Sequence, residues 1–244
     1  MTKLYELQNH ILIHTDYLDP VEHHHMAAHI IISTGDNMKV LSEGEAHLCR
    51  GVIIPSGISH KIDTCGNPVL VFLYDSTTNV AKQIQKVEDI DDAKCEDILS
   101  LYSEFEINSS AASYSKIEKY ILNQFGLEAI AGGVTDDRII SAMKYIRDRG
   151  DSKITCKEAA DAVFLSESRF SHLFREQAGM TFAAYLIYQR ILSVYADVIH
   201  GKNVTEAAIE AGFSSSAHFA DVNRRVFGTS IRNISKDLKY IKIK

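Results

Sequence analysis

One pattern occurs twice in the C-terminal half of this 244-residue chain, and it restricts the fold more than any other feature. Thr155-Cys156-Lys157-Glu158 has the form of a capping box, a hydroxyl followed three residues later by a carboxylate. Ala159, Ala160 and Val163 follow, then a turn at Phe164-Leu165 and Ser166, a good N-cap for another helix. On that helix Phe170, Leu173 and Phe174 fall at i, i+3 and i+4, which predicts one buried face. Ser168, Arg169, Ser171, His172 and Arg175 are left pointing outward, and Gly179 supplies the stop.

The second copy lies 48 residues on. Asn203-Val204-Thr205-Glu206 repeats the cap, Ala207, Ala208 and Ala211 make the small packing helix, and Gly212-Phe213-Ser214-Ser215 is the turn and restart. The next helix is expected to bury Phe219, Val222 and Val226 and to end at Gly228. Neither copy is long enough to be stable alone, so the two must share a fold. Small alanines let one helix cross another closely, and that is how a helix-turn-helix presents its second helix to a major groove. Ala184 to His200 has the length and apolar spacing of a rigid connector. Two units so joined would face successive grooves, roughly 34 Å apart on B-form DNA. A helical bundle that binds protein or nothing is the plain alternative. One copy would favour it; two copies with caps in register argue against it.

Charge divides along the same line. Residues 1–130 hold 9 Lys+Arg against 19 Asp+Glu, whereas residues 131–244 hold 17 against 13, so a balance of −10 adjoins one of +4. A basic half fused to an acidic one fits a polyanion-binding module with a separate partner domain. An apolar fraction of 45% and a charged fraction of 24% exclude wholesale disorder. No run of eighteen apolar residues suggests a membrane span, and the N-terminus lacks a secretory pattern, so a cytoplasmic protein is expected. Cys49, Cys65, Cys95 and Cys156 form no C-x-x-C pair and are expected to be ordinary reduced side chains.

Up to about residue 76 the texture is different. Ala28 to Thr34, Gly51 to Pro55 and Pro68 to Tyr74 are short β-branched runs separated by turn signals such as Ser42-Glu43-Gly44-Glu45. Closely spaced strands without a long helix predict a small antiparallel sandwich or barrel. From about residue 80 the period becomes helical. Ser113 to Phe125 places Ile117, Tyr120, Ile121, Gln124 and Phe125 at helical spacing, as a dimerisation element or as part of the domain it follows. Ala131-Gly132-Gly133 is the linker candidate, after which the chain is expected to be helical to its end.

Arg190 through Ile234 resembles the signature of the AraC/XylS family of transcription regulators. The matching residues are Arg190, Ala196, Ala208, Ala211-Gly212-Phe213-Ser214, His218-Phe219 and Phe227-Gly228-Thr229-Ser230. In the first unit they are Ala160, Leu165-Ser166, Phe170 through Arg175 and Gly179 through Phe182. The resemblance covers roughly residues 135–235. It implies a seven-helix DNA-binding domain, usually of an activator, working with double-stranded promoter DNA, RNA polymerase and a second copy of itself. It also implies base-facing roles for Ser168, Ser171 and His172 and for Ser216, Ala217, Ala220 and Asp221, with Arg169 and Ser215 beside them. Arg175, Arg224 and Arg225 would meet phosphate. Three departures stand out: Asn223 replaces a usual Phe and should weaken the second buried face, Asp221 replaces a basic residue, and Ile231 replaces a Pro.

Eight of the eleven histidines lie in residues 1–60. His23-x-His25-x-x-x-His29 and Pro55-Ser56-Gly57-Ile58-Ser59-His60 together resemble the two motifs of the cupin barrel, with His29 where a metallocupin commonly has Glu. In that fold His23, His25, His29 and His60 would converge on the barrel interior. They could hold a divalent metal, line a pocket for a small-molecule effector, or be structural. No cofactor is required by the pattern, and no nucleophile–base or carboxylate pair is set by spacing, so no enzymatic activity is expected. The resulting expectation is an α+β chain. Residues 1–80 form a cupin-like sensor domain, 81–130 a helical linker and candidate dimerisation region, and 131–244 an AraC-type DNA-binding domain of two helix-turn-helix units joined by a long helix. A metal-dependent cupin enzyme with an appended helical domain is the alternative.

Overall fold

The computed structural model describes residues 2–7, 10–16, 22–24, 27–128, 134–149, 154–227 and 238–243. The first nine strands are β1 (Thr2–Glu6), β2 (His10–Thr15), β3 (His23–His24), β4 (Ala27–Ser33), β5 (Met38–Ser42), β6 (Glu45–Cys49), β7 (Gly51–Ile54), β8 (Ser59–Asp63) and β9 (Val69–Asp75). Glu43 and Gly44 join β5 to β6 with φ of 51° and 84°, the paired positive values that suit a tight hairpin between right-twisted strands.

These strands form two sheets rather than one closed cylinder. After the short helix α1 (Asn79–Gln83) comes β10 (Glu88–Ile90), and near the C-terminus lies β11 (Leu238–Lys242). The larger sheet runs β10-β7-β4-β9-β2-β1-β11 and the smaller β3-β8-β5-β6. Between them Ala27, Ile31, Val40, Val52, Ile54, Ile62 and Val71 make one core. The alternate residues of β4, Ala28, Ile30 and Ile32, face the other way. There they meet α2 (Asp92–Asn108) and α3 (Ala111–Gln124) through Ile98, Phe105, Ile117 and Ile121. Burying a side chain of this size contributes roughly 1.5–3 kcal/mol, so both faces of β4 hold the domain together.

Three sequence expectations change here. The region 81–130 is not a separate linker: α2 and α3 share the core of the strand domain, and the apolar face of the 113–125 stretch is spent inside it. A strand, β10, interrupts the stretch read as helical. The chain is also not helical to its end, because β11 pairs parallel with β1, Thr2 opposite Leu238. Ala131-Gly132-Gly133 and Gly228 through Ile234 lie outside the described residues.

The C-terminal half holds α4 (Asp137–Arg149), α5 (Cys156–Asp161), α6 (Glu167–Ala178), α7 (Phe182–Ile199), α8 (Val204–Glu210) and α9 (Ser216–Phe227). At 18 residues, α7 spans about 27 Å and serves both units. Its first half packs Phe182 and Tyr185 into the core of α4–α6, and its second packs Ile191, Val194 and Tyr195 against α8 and α9.

Candidate nucleic-acid interface and the pocket beside it

In the first unit every local signal is used as its chemistry suggests. Thr155 and Glu158 make the reciprocal capping box of α5, Ser166 caps α6 by accepting from Arg169 N, and Gly179 closes it at φ 72°. Phe170, Phe174 and Phe182 pack with centroids 5.4–5.6 Å apart, Phe182 edge to face with the other two. That cluster fixes α6 across α5 and leaves Ser168, Arg169, Ser171, His172 and Arg175 exposed on one surface. Cys156 Sγ lies 3.1 Å from Ser171 Oγ, and His172 Nδ1 lies 3.9 Å from Glu176 Oε2.

The second unit is built alike but finished differently. Asn203 caps α8 by accepting from Glu206 N at 2.8 Å, and the Ser215 hydroxyl accepts from His218 N at 3.0 Å at the start of α9. Ser215 and Ser216 are half-buried, and Ala217, Ala220, Asp221, Arg224 and Arg225 are exposed. Asn223 does not weaken the buried face as expected. It is fully buried and accepts a 3.0 Å hydrogen bond from the Tyr195 hydroxyl on α7. The amide is matched by a phenol, so the swap costs little. Asp221 is paired with Arg225 at 2.7 Å, so its charge is balanced within α9 rather than presented alone.

The barrel histidines come together as their strands dictate. His23 is the cross-strand partner of His60, and the His60 ring lies 4.6 Å from that of His23 and 5.0 Å from that of His29. His25 lies outside the described residues. His29 and His60 are buried, and burial pushes His60 down to about 4 and His29 well below its ordinary value. Both imidazoles are therefore neutral at pH 7. Nδ1 of His60 lies 2.9 Å from the Ile58 carbonyl, which assigns the proton to Nδ1 and leaves Nε2 as the lone-pair nitrogen. Such rings can receive a donor group of a ligand. Among the described residues, however, His23, His29 and His60 do not bring their nitrogens mutually within 4.8 Å; His47, Cys49 and Asp89 do bring their ligand atoms that close.

The α9 helix packs against β3 of the strand domain. Glu22, His23 and His24 from one side and Arg224 and Arg225 from the other line a pocket of about 150 Å³. The first unit meets the same domain at the C-terminal end of α6, where Ser76 Oγ donates to the Ala178 carbonyl at 3.3 Å and Lys82 to that of Gln177.

A family model described as helix-turn-helix domain matches residues 159–237. The regulator LumQ of Photobacterium leiognathi is 32% identical over 87 residues, 35% of each chain. The transcriptional activator RhaS of Yersinia pestis is 25% identical over 114 residues, 46% of this chain and 42% of that one. Over residues 159–237 the chain is thus similar to a helix-turn-helix domain. The chain spans about a third to two-fifths of the length of these curated relatives. For the whole fold, an apo variant of ToxT from Vibrio cholerae strain SCE256 has a TM-score of 0.59 at 8% identity, covering 96% of both chains. Wild-type ToxT from that strain, solved with an unsaturated fatty acid bound, has a TM-score of 0.52 at 11% identity, covering 96% of this chain and 95% of that one. Both share the two-domain α+β architecture.

Around the helix-turn-helix domain, sequence reasoning missed Glu22 and His24, because a pocket between domains leaves no spacing signature. It also assigned Arg224 and Arg225 to phosphate alone, although both border the strand domain here. The His47–Cys49 pair was passed over because the cysteines were weighed only for C-x-x-C spacing and the histidines only for the cupin motifs. Two ligands two residues apart on a strand, and so on one face, was the available signal.

Proposed function

We propose that this chain is a sequence-specific DNA-binding transcription regulator, an activator, whose second recognition helix is gated by a small molecule held beside the barrel histidines. The packing of α9 against β3 carries this reading. A reading head that borders the candidate effector pocket feels any change there, whereas α6 already exposes its outward face. Ser168, Ser171 and His172 would read bases, Arg169 and Arg175 would meet phosphate, and α9 would add its contacts through Ser215, Ser216, Ala217, Ala220, Asp221, Arg224 and Arg225 once clear of β3. His23, His29 and His60 would contact the effector. The partners that follow are promoter DNA, RNA polymerase and a second copy of the chain, in the cytoplasm. No helix among the described residues is long and apolar enough to cross a membrane. The relatives named above are regulators, which speaks against a metal-dependent cupin enzyme.

A band-shift assay of the full chain with DNA from upstream of its own operon tests this. Glu22→Ala with His23→Ala should loosen α9 and tighten specific binding severalfold, while Arg175→Ala should weaken binding and reduce the salt slope by about 1. No sequence-specific shift even at low salt, where phosphate contacts are strongest, would sink the regulator reading. Unchanged affinity in the double variant would sink the gating.

A further inference from the structure

Among the described residues, one edge of the strand domain carries a second group of donors. β10 is the last strand of the larger sheet and β6 the last of the smaller. His47 and Cys49 are two apart on β6 and so share a face, and Cys49 belongs to the core between the sheets. Asp89 on β10 is the partner of Val52, which belongs to that same core, so it turns to the same side. Across the gap His47 Nε2 lies 2.8 Å from Asp89 Oδ1. One ligand atom from each of the three lies within 4.8 Å of the others.

We propose that His47, Cys49 and Asp89 bind a divalent transition ion of the zinc class, joining the terminal strands of the two sheets. An imidazole, a thiolate and a carboxylate suit zinc or cobalt and not calcium or magnesium, which take oxygen ligands. Tetrahedral zinc holds such donors at about 2.0–2.3 Å from the ion, so neighbouring donor atoms stand about 3–4 Å apart, reached here by small side-chain rotations. On binding, the Cys49 thiol loses its proton to solvent and its sulfur lone pair goes to the ion. His47 binds through Nε2 with its proton on Nδ1, and Asp89 exchanges its hydrogen bond to His47 for a metal–oxygen bond. Three protein ligands leave one position open to water. β10 runs directly into α2, so occupancy ties that junction to the barrel edge.

The full chain, stripped with a chelator and kept reduced with a phosphine, is titrated with cobalt(II) and then zinc(II). One equivalent of cobalt should give a thiolate-to-cobalt charge-transfer band and tetrahedral visible bands, both quenched by zinc, and the melting temperature should rise with zinc. Cys49→Ser should abolish the charge-transfer band, and His47→Gln, at a half-exposed position, should weaken cobalt binding at least tenfold while circular dichroism stays unchanged. Cys65→Ser and Cys156→Ser should keep the band. Absence of a band at one equivalent, a band that survives Cys49→Ser, or one lost in His60→Asn but kept in His47→Gln would overturn the proposal.

Discussion

The two helix-turn-helix units start from one pattern and diverge in how their recognition helices are held. The first is closed by an aromatic cluster, Phe170, Phe174 and Phe182, and meets the strand domain at the end of α6. The second is closed by a buried hydrogen bond, Tyr195 to Asn223, and lies along β3. Their turns differ as well. Gly212 takes φ 86° at no steric cost, whereas Phe164, at the matching place, takes φ 56° and is 96% exposed. A repeat can thus keep its helices and caps and still change how its recognition helices are anchored.

The largest effect should come from removing the first anchor. Phe174→Ala should cost about 3–5 kcal/mol, because a fully buried ring leaves a cavity among Phe170, Phe182 and Tyr185, and denaturant melts of the C-terminal domain would register it. A loss below about 1 kcal/mol would erase the contrast between the units.

Acid should separate the strand domain from both units. Burial pushes His10 down to about 3 and His60 down to about 4, whereas unfolded histidine titrates near 6.5. The unfolded chain therefore binds the extra protons, and the contribution is full above pH 6.5 and lost as pH falls through 4. Each unit of depression is worth about 1.4 kcal/mol, so stability should fall by several kcal/mol over that window. Thermal melts across pH 7 to 4, with His60→Asn flattening the slope, check this. A flat profile for the wild type would contradict it.

The second anchor should be weaker. Asn223→Ala removes the acceptor of the buried Tyr195 hydroxyl and should cost about 1–3 kcal/mol, and adding Tyr195→Phe to Asn223→Leu should recover most of it. Strict additivity of the two single changes would argue that the pair does not act as a unit. Smallest is the turn: Phe164→Asn should stabilise by up to about 1 kcal/mol, since Asn tolerates the left-handed region better than an exposed aromatic ring. A lower melting temperature would show that Phe164 packs usefully after all.

Much of the reading head was legible because its signals are local. Capping at Thr155, Ser166 and Asn203, the helical spacing of Phe170, Leu173 and Phe174, and the stop at Gly179 each act within a turn or two of chain. The strands before residue 76 announced themselves by alternation and turns in the same way. Their pairing did not. β10 is three residues long and β11 follows a long helical stretch, so neither had a local signal strong enough to outweigh its surroundings.

The amino-acid sequence by itself determined the doubled helix-turn-helix, the strand-rich half before it and the convergence of His23, His29 and His60 that the barrel motifs implied. Only the tertiary structure decided that α2 and α3 belong to the strand domain, that Asn223 has Tyr195 as its partner, that α9 lies on β3, and that His47 and Cys49 meet Asp89. The division follows from range. Caps and periodicity are contacts between near neighbours in the chain, whereas sheet order and helix docking are set by which apolar faces bury each other across the whole fold.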